Sequence, residues 1–135
     1  MGKPLRVLSK HVIEYGNTCR FSYTFNELQH MLEDLGCSTY PDPCEDADEF
    51  NANVGEYKAA LEILKNHKEE IANKVSFNDE IDSEKVMKHI NRCFYDEFDM
   101  PPKTPIEKIE FIVDSMEKYL EEADTNDGYI YFAAF

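Results

Sequence analysis

Apolar side chains recur at helical spacing in four stretches of the chain, and we predict one helix from each. These helices cover residues 24–35, 54–73, 83–95 and 104–123. The last is the clearest, because Thr104 and Glu107 match a capping box around Pro105. The positions predicted to face a core are Phe25, Leu28, Met31, Leu32 and Leu35, then Val54, Tyr57, Leu61, Leu64 and Ile71, then Val86, Ile90, Cys93 and Phe94, and finally Ile106, Ile109, Val113, Met116 and Leu120.

Other stretches are rich in β-branched and aromatic residues, which is typical of strands. Residues 7–15 and 19–23 are predicted to pair as an N-terminal hairpin around a tight turn at Gly16 and Asn17. Residues 129–135 follow a strong turn signal and are predicted to dock beside that hairpin.

Two prolines in residues 37–43 predict a loop, with Tyr40 folded against the body of the protein. The acidic residues that follow favour a short turn or an early helix start near Asp46, because carboxylates stabilise a helix N-terminus.

The predicted order is two strands, four helices and one strand, which lacks the alternation that builds a parallel sheet. We therefore predict an α+β fold in which a small antiparallel sheet is packed with about four helices on one face. A helical bundle with a two-stranded ribbon at its edge is the alternative. The 135 residues fit a single domain that is long enough to bury a core without disulfides.

The charge of the chain is strongly and unevenly negative. The formal net charge is −14, from 28 acidic and 14 basic side chains. Residues 1–30 carry a balance of +2, so the remainder carries −16. Such a field repels nucleic acid and attracts basic protein surfaces, so we expect a protein partner and no direct nucleic-acid binding. The alternative is that the negative charge only keeps the protein soluble.

No stretch is long and apolar enough for a membrane span, and residues 1–8 lack the apolar region of a signal peptide. We therefore expect a cytoplasmic protein without a membrane partner. In that compartment, the four cysteines are expected to be thiols or metal ligands and not disulfides.

Two groups of carboxylates are the predicted partner-binding residues. One group spans about four turns of a helix at a rise of about 1.5 Å per residue, and we expect such a carboxylate row on a rigid scaffold to imitate duplex DNA, which carries about one charge per 1.7 Å of axis. The groups are Asp42, Glu45, Asp46, Asp48 and Glu49, and Glu107, Glu110, Asp114, Glu117 and Glu121.

Cysteine and histidine spacing suggests one candidate metal site. Cys37 and Cys44 bracket the proline loop, while His89 and Cys93 lie one helical turn apart. Together they would form a structural Cys3His zinc site, although no C-x2-C pair is present and Cys93 also lies on a predicted core stripe. The predicted function requires no cofactor.

No nucleophile motif or glycine-rich phosphate loop occurs, and we predict no enzymatic activity. In whole-chain character, the protein resembles the DNA-mimic inhibitors of phages and mobile elements, such as anti-CRISPR and antirestriction proteins. The resemblance rests on charge and acidic helix faces, not on a diagnostic motif. It implies that the protein blocks the basic channel of a nuclease or CRISPR effector in the host cytosol.

Two alternatives stay open. An adaptor or subunit would dock through Tyr129, Tyr131, Phe132 and Phe135, although we expect these aromatics to pack in the chain's own core. A small metal-binding protein, or a metal-dependent enzyme, would require a bound metal ion and, for catalysis, an open coordination position.

Overall fold

The computed structural model describes residues 5–8, 14–18, 25–40, 49–93, 104–123 and 125–134 of the chain. Within these ranges it contains five strands and five helices. The strands are β1 (Leu5–Leu8), β2 (Glu14–Thr18), β3 (Thr39–Tyr40), β4 (Glu49–Asn53) and β5 (Tyr129–Ala134). The helices are α1 (Phe25–Asp34), α2 (Val54–Asn66), α3 (Lys68–Ala72), α4 (Ser83–Arg92) and α5 (Pro105–Glu122). The predicted α+β class is confirmed.

The C-terminal strand β5 lies at the centre of the sheet, whose order is β2-β1-β5-β4-β3. All neighbouring strands are antiparallel. Phe132 of β5 pairs with Val7 of β1 on one side and with Phe50 of β4 on the other. The predicted docking of the C-terminal strand beside the N-terminal hairpin is therefore confirmed, and β5 also joins that hairpin to the rest of the sheet.

The N-terminal hairpin forms, but the predicted position of its turn is wrong. Gly16 and Asn17 lie inside β2, and the pairing with β1 is irregular between the Arg6–Thr18 and Leu8–Glu14 pairs. Glycine is tolerated at such strand irregularities as well as in turns, so its presence does not distinguish the two. The predicted return strand over residues 19–23 lies outside the described residues.

The strands β3 and β4 are not predicted by the sequence patterns. Residue 39 begins β3 within the predicted loop, and β4 occupies residues 49–53, so the helix that follows starts at Val54 and not near Asp46. Phe50 and Ala52 are buried on one face of β4, while its end residues are exposed. Only two apolar side chains in a five-residue strand give too short an alternation to distinguish it from a loop.

The predicted helix over residues 54–73 is divided at His67 into α2 and α3. The His67 backbone leaves the helical region, and its ring stacks on Phe77 with centroids 4.1 Å apart. The apolar stripe continues across the break, since Leu64 and Ile71 are both fully buried. Periodicity therefore predicts the buried face correctly but does not predict the break at His67.

The helices α1, α2 and α4 bury most of the described positions of their predicted faces against one another and against the sheet, while Val54 is only partly buried. On α5 the buried face is rotated, because Ile109, Ile112, Met116 and Tyr119 are buried whereas Val113 is only partly buried. The predicted Phe94 contact lies outside the described residues. Within the described part of the chain, no helix is both long enough and apolar enough to cross a membrane.

Candidate partner-binding surfaces

The acidic row on α5 begins with a residue that has a structural role. The Thr104 N–H donates to Glu107 Oε1 at 2.9 Å, and the Glu107 N–H donates to Thr104 Oγ1 at 3.1 Å. This is the predicted capping box, and it is confirmed. The Glu107 carboxylate therefore satisfies a backbone donor and stabilises the positive end of the helix dipole.

The next carboxylates of the row are paired with lysines. Two of these lysines come from the neighbouring helices α2 and α3, and the third follows one turn later on α5 itself. The pairs are Lys68–Glu110 at 2.8 Å, Lys65–Glu117 at 2.6 Å and Lys118–Asp114 at 3.3 Å. The hydrogen bond with Glu117 raises the pKa of Lys65, because the protonated lysine is stabilised beside this carboxylate.

The groove between α2 and α5 consequently carries charges of both signs. The charged residues that line it and its continuation toward α3 are Lys58, Lys65, Lys68 and Lys118, and Glu62, Glu110, Asp114, Glu117 and Glu121. Glu121 is exposed and, among the described residues, forms no ion pair. The α5 row is therefore not the uninterrupted negative ridge that a phosphate backbone presents, because lysines from adjacent helices are interleaved with it.

The second predicted acidic group is only partly described. Glu49 is exposed in β4 and forms no ion pair among the described residues, while Asp42, Glu45, Asp46 and Asp48 lie outside the described residues. The segment that holds these residues joins Tyr40 of β3 to Glu49 of β4, two strands that pair antiparallel. Its two ends therefore belong to the edge strand β3 and to the neighbouring strand β4.

Two further carboxylates lie beside that edge, and the sequence patterns do not single them out. Glu33 Oε2 accepts the N–H of Thr39 at 2.9 Å, and Glu56 Oε1 accepts the N–H of Ser38 at 2.8 Å. Burial raises the pKa of the Cys37 thiol to about 12, and the charges of Glu56 and Glu33 add to the shift. The electrostatic potential around Cys37, beside β3, is therefore negative.

The aromatic side chains proposed as docking anchors are divided between the two faces of the sheet. Phe132 is buried, as expected for core packing, while Tyr129 is exposed and Tyr131 is half-buried on the opposite face. Tyr40 is 73% exposed, so the prediction that it folds against the body is wrong. Its position in β3 directs it away from the helices, whereas Thr39 beside it is buried. Phe135 lies outside the described residues.

The candidate zinc ligands do not form a metal site within the described part of the chain. Cys37 and Cys93 are buried thiols, and no group of three Cys, His, Asp or Glu side chains is placed there to hold a metal ion. Cys44 lies outside the described residues, so the four-ligand site stays a prediction.

His89 instead connects two helices. Its Nδ1–H donates to Asp34 Oδ2 at 2.5 Å, and its ring stacks on His30 with centroids 5.2 Å apart. Glu27 Oε1 lies 3.9 Å from His89 Nε2 and 3.8 Å from Arg92. These contacts place the Glu27 and Asp34 carboxylates of α1 beside His89 and Arg92 of α4. Neither partner of His89 follows from sequence spacing, because residues 34 and 89 are far apart in the chain.

Comparisons with known proteins identified no relative of this chain. No family model matches the chain, and no match was found among curated proteins or solved structures.

Proposed function

We propose that this protein is a stoichiometric inhibitor that binds the basic nucleic-acid-binding surface of a nuclease and prevents DNA or RNA from entering. The target class includes CRISPR effectors and restriction enzymes. The inhibitor acts by occupying the groove and carries out no reaction of its own.

The observation that carries the proposal is the net charge of −14 on a chain with a folded α+β core. A disordered acidic segment loses conformational entropy when it binds, whereas carboxylates on a preformed scaffold avoid much of that cost. Empty phosphate-binding grooves display unpaired arginine and lysine, and carboxylates can pair with them through strong charge-assisted hydrogen bonds. A rigid anionic protein therefore suits such a groove.

The distribution of ion pairs refines which part of the surface is suited to this role. Glu110, Asp114 and Glu117 already have lysine partners, so binding a basic groove through them requires exchanging one partner for another. Breaking each exposed pair costs typically below about 1 kcal/mol, but the lysines stay beside the carboxylates and repel a basic groove. By contrast, Glu49 has no ion-pair partner among the described residues and adjoins the acidic segment 42–48. This end of the sheet supports the proposal better than α5.

The first test is affinity capture from cells of the source organism, with washes of increasing salt. A basic nucleic-acid-binding protein should be retained at low salt and released as the salt rises from about 50 to 200 mM, because the contacts are electrostatic. The captured protein is then assayed for nucleic-acid binding with increasing amounts of the inhibitor. Retention that is indifferent to salt, or a captured partner that binds nucleic acid equally well in its presence, would contradict the proposal.

A further inference from the structure

The face of the sheet opposite the helices carries a cluster of tyrosine and asparagine side chains. Side chains alternate along β4 and β5, so Phe50 and Phe132 point into the core and their neighbours point outward. Tyr40, Asn51 and Tyr131 form one row across three strands, and Tyr129 pairs with Asn53 in the next row. We call the tyrosine face the surface formed by Tyr40, Glu49, Asn51, Asn53, Tyr129 and Tyr131.

This face is accessible to a partner. Tyr40 is 73% exposed and Tyr129 is 43% exposed, and they are two of the three large exposed hydrophobic side chains in the described part of the chain. The third, Val75, lies in the connection between α3 and α4. Single exposed apolar residues are ordinary, but neighbouring aromatics on a rigid sheet are typical of interaction surfaces.

The Tyr131 and Asn53 side chains of the tyrosine face are held in place before any partner arrives. Asp127 accepts the Tyr131 hydroxyl at Oδ2 and the Tyr129 N–H at Oδ1, at 2.5 and 3.1 Å. Asn53 caps α2 by accepting the Glu56 N–H at 3.0 Å. Side chains whose orientation is already fixed lose less entropy on binding, so this arrangement favours recognition.

The charge of the face determines the chemistry of its partner. Glu49 is part of it and Asp127 borders it. The basic residue Arg6 of β1 lies in the same row as Glu49 but beyond Ala133 of β5, outside the six residues of the tyrosine face. In the sequence, Asp42, Glu45, Asp46 and Asp48 lie between Tyr40 and Glu49. Guanidinium groups stack on aromatic rings and pair bidentately with carboxylates, whereas lysine ammonium groups pair as compact point charges. A surface of tyrosines with adjoining carboxylates therefore favours arginine.

We propose that the tyrosine face is the contact surface for an arginine-rich surface of a partner protein. The inference rests on the proposed function and specifies where on the molecule the basic groove is bound. The anchors are Tyr40 and Tyr129, and Glu49 supplies an adjacent carboxylate. The α5 row then lies outside the interface.

The test uses two peptides of equal charge, nona-arginine and nona-lysine, titrated into the ¹⁵N-labelled full chain. Amide shifts should concentrate at residues 39–40, 49–53 and 129–131, and nona-arginine should bind at least about fivefold more tightly than nona-lysine. Equal affinities, or shifts concentrated on α5, would overturn the proposal.

Matched variants distinguish binding at the tyrosine face from nonspecific electrostatic attraction between the acidic protein and the cationic peptide. Tyr40→Ser and Tyr129→Ser should each weaken nona-arginine binding about fivefold, because they remove exposed rings that the fold does not need. Glu49→Gln should weaken it more than Glu110→Gln, which makes the same change in charge on α5. If both glutamate variants weaken binding equally and both tyrosine variants leave it unchanged, the proposal is wrong.

The same variants distinguish failure of this inference from failure of the proposed function. A nuclease that is inhibited equally by the wild type and by the combined Tyr40→Ser, Tyr129→Ser variant would overturn the tyrosine face while leaving the inhibitor proposal in place. Selective nona-arginine binding at the face by a protein that displaces nucleic acid from no basic nuclease would support the surface and contradict the function.

Discussion

At the residue scale, Phe132 is the centre of the aromatic core. Its ring lies 4.9 Å from that of Phe50, 6.1 Å from that of Tyr57 and 5.8 Å from that of Tyr119. The Tyr57 hydroxyl also donates to the Met116 carbonyl at 2.8 Å, which fastens α2 to α5. These contacts join the central strand to both long helices, so the sheet and the helical layer are expected to unfold together.

Cys37 provides a residue-scale prediction. Its pKa of about 12, against an ordinary value of 9.0, lowers the thiolate fraction at pH 8 by about a thousandfold. Iodoacetamide should therefore label Cys37 far more slowly in the folded protein than in urea, as measured by mass spectrometry of the peptide. Glu56→Gln should accelerate labelling modestly, because the larger cause is burial. Equal labelling of the folded and unfolded chains would contradict this assignment.

The same pKa shift has a consequence for stability. Because the folded state favours the neutral thiol, the stabilisation from Cys37 is fully present below about pH 9. It is lost as the pH rises from 9 to about 12, where the unfolded chain ionises first.

At the element scale, the helices were predictable and the short strands were not. Capping signals and long apolar stripes predict α1, α4 and α5 close to their observed bounds, and Gly36 ends α1 with φ +88° as expected for a helix stop. β3 has two residues and β4 has five, of which three are polar. β4 forms its strand by pairing with β5, a contact between distant residues that local patterns do not contain, and β3 in turn pairs with β4.

The capping box of α5 gives an element-scale prediction. Thr104→Ala removes the side-chain acceptor for the Glu107 N–H and should destabilise the protein by about 1 kcal/mol. Thr104→Ser keeps the hydroxyl and should retain most of that stability. Urea unfolding of the three proteins measures the difference. If the alanine and serine variants are equally stable, the capping box does not contribute as described.

At the scale of the whole molecule, the candidate surface was only partly predictable. Charge totals identify an acidic protein from sequence alone, but they do not reveal which carboxylates have lysine partners. The pairs Lys68–Glu110 and Lys65–Glu117 form between different helices, so they depend on packing and not on spacing along α5. Likewise, Tyr40 and Tyr131 lie in one row of the same sheet face, on either side of Asn51, only because β3, β4 and β5 are neighbours.

The central position of β5 leads to a prediction for the whole fold. A chain truncated after Gly128 loses the strand that pairs with both β1 and β4, together with the buried Ile130 and Phe132. It should fail to unfold cooperatively and should lose the dispersed NMR signals of a folded protein. The single substitution Tyr129→Ser is the control and should leave the fold intact, because that side chain is exposed. A truncated chain that remains cooperatively folded would contradict the predicted role of β5.

A chelator tests whether the fold depends on metal. The core of α1, α2, α4, α5 and the sheet is continuous and apolar, so we expect EDTA treatment to leave the melting temperature unchanged. A lowered melting temperature with release of zinc would instead support the Cys37, Cys44, His89 and Cys93 site.

The most direct test of the inhibitor proposal is equilibrium displacement of fluorescent DNA from basic nucleases, including a guide-loaded CRISPR effector and a restriction enzyme. We predict displacement from at least one of them near equimolar protein, with an apparent affinity that falls steeply as the salt rises from about 50 to 200 mM. DNA that remains bound to every enzyme at low salt and excess protein would contradict the proposal.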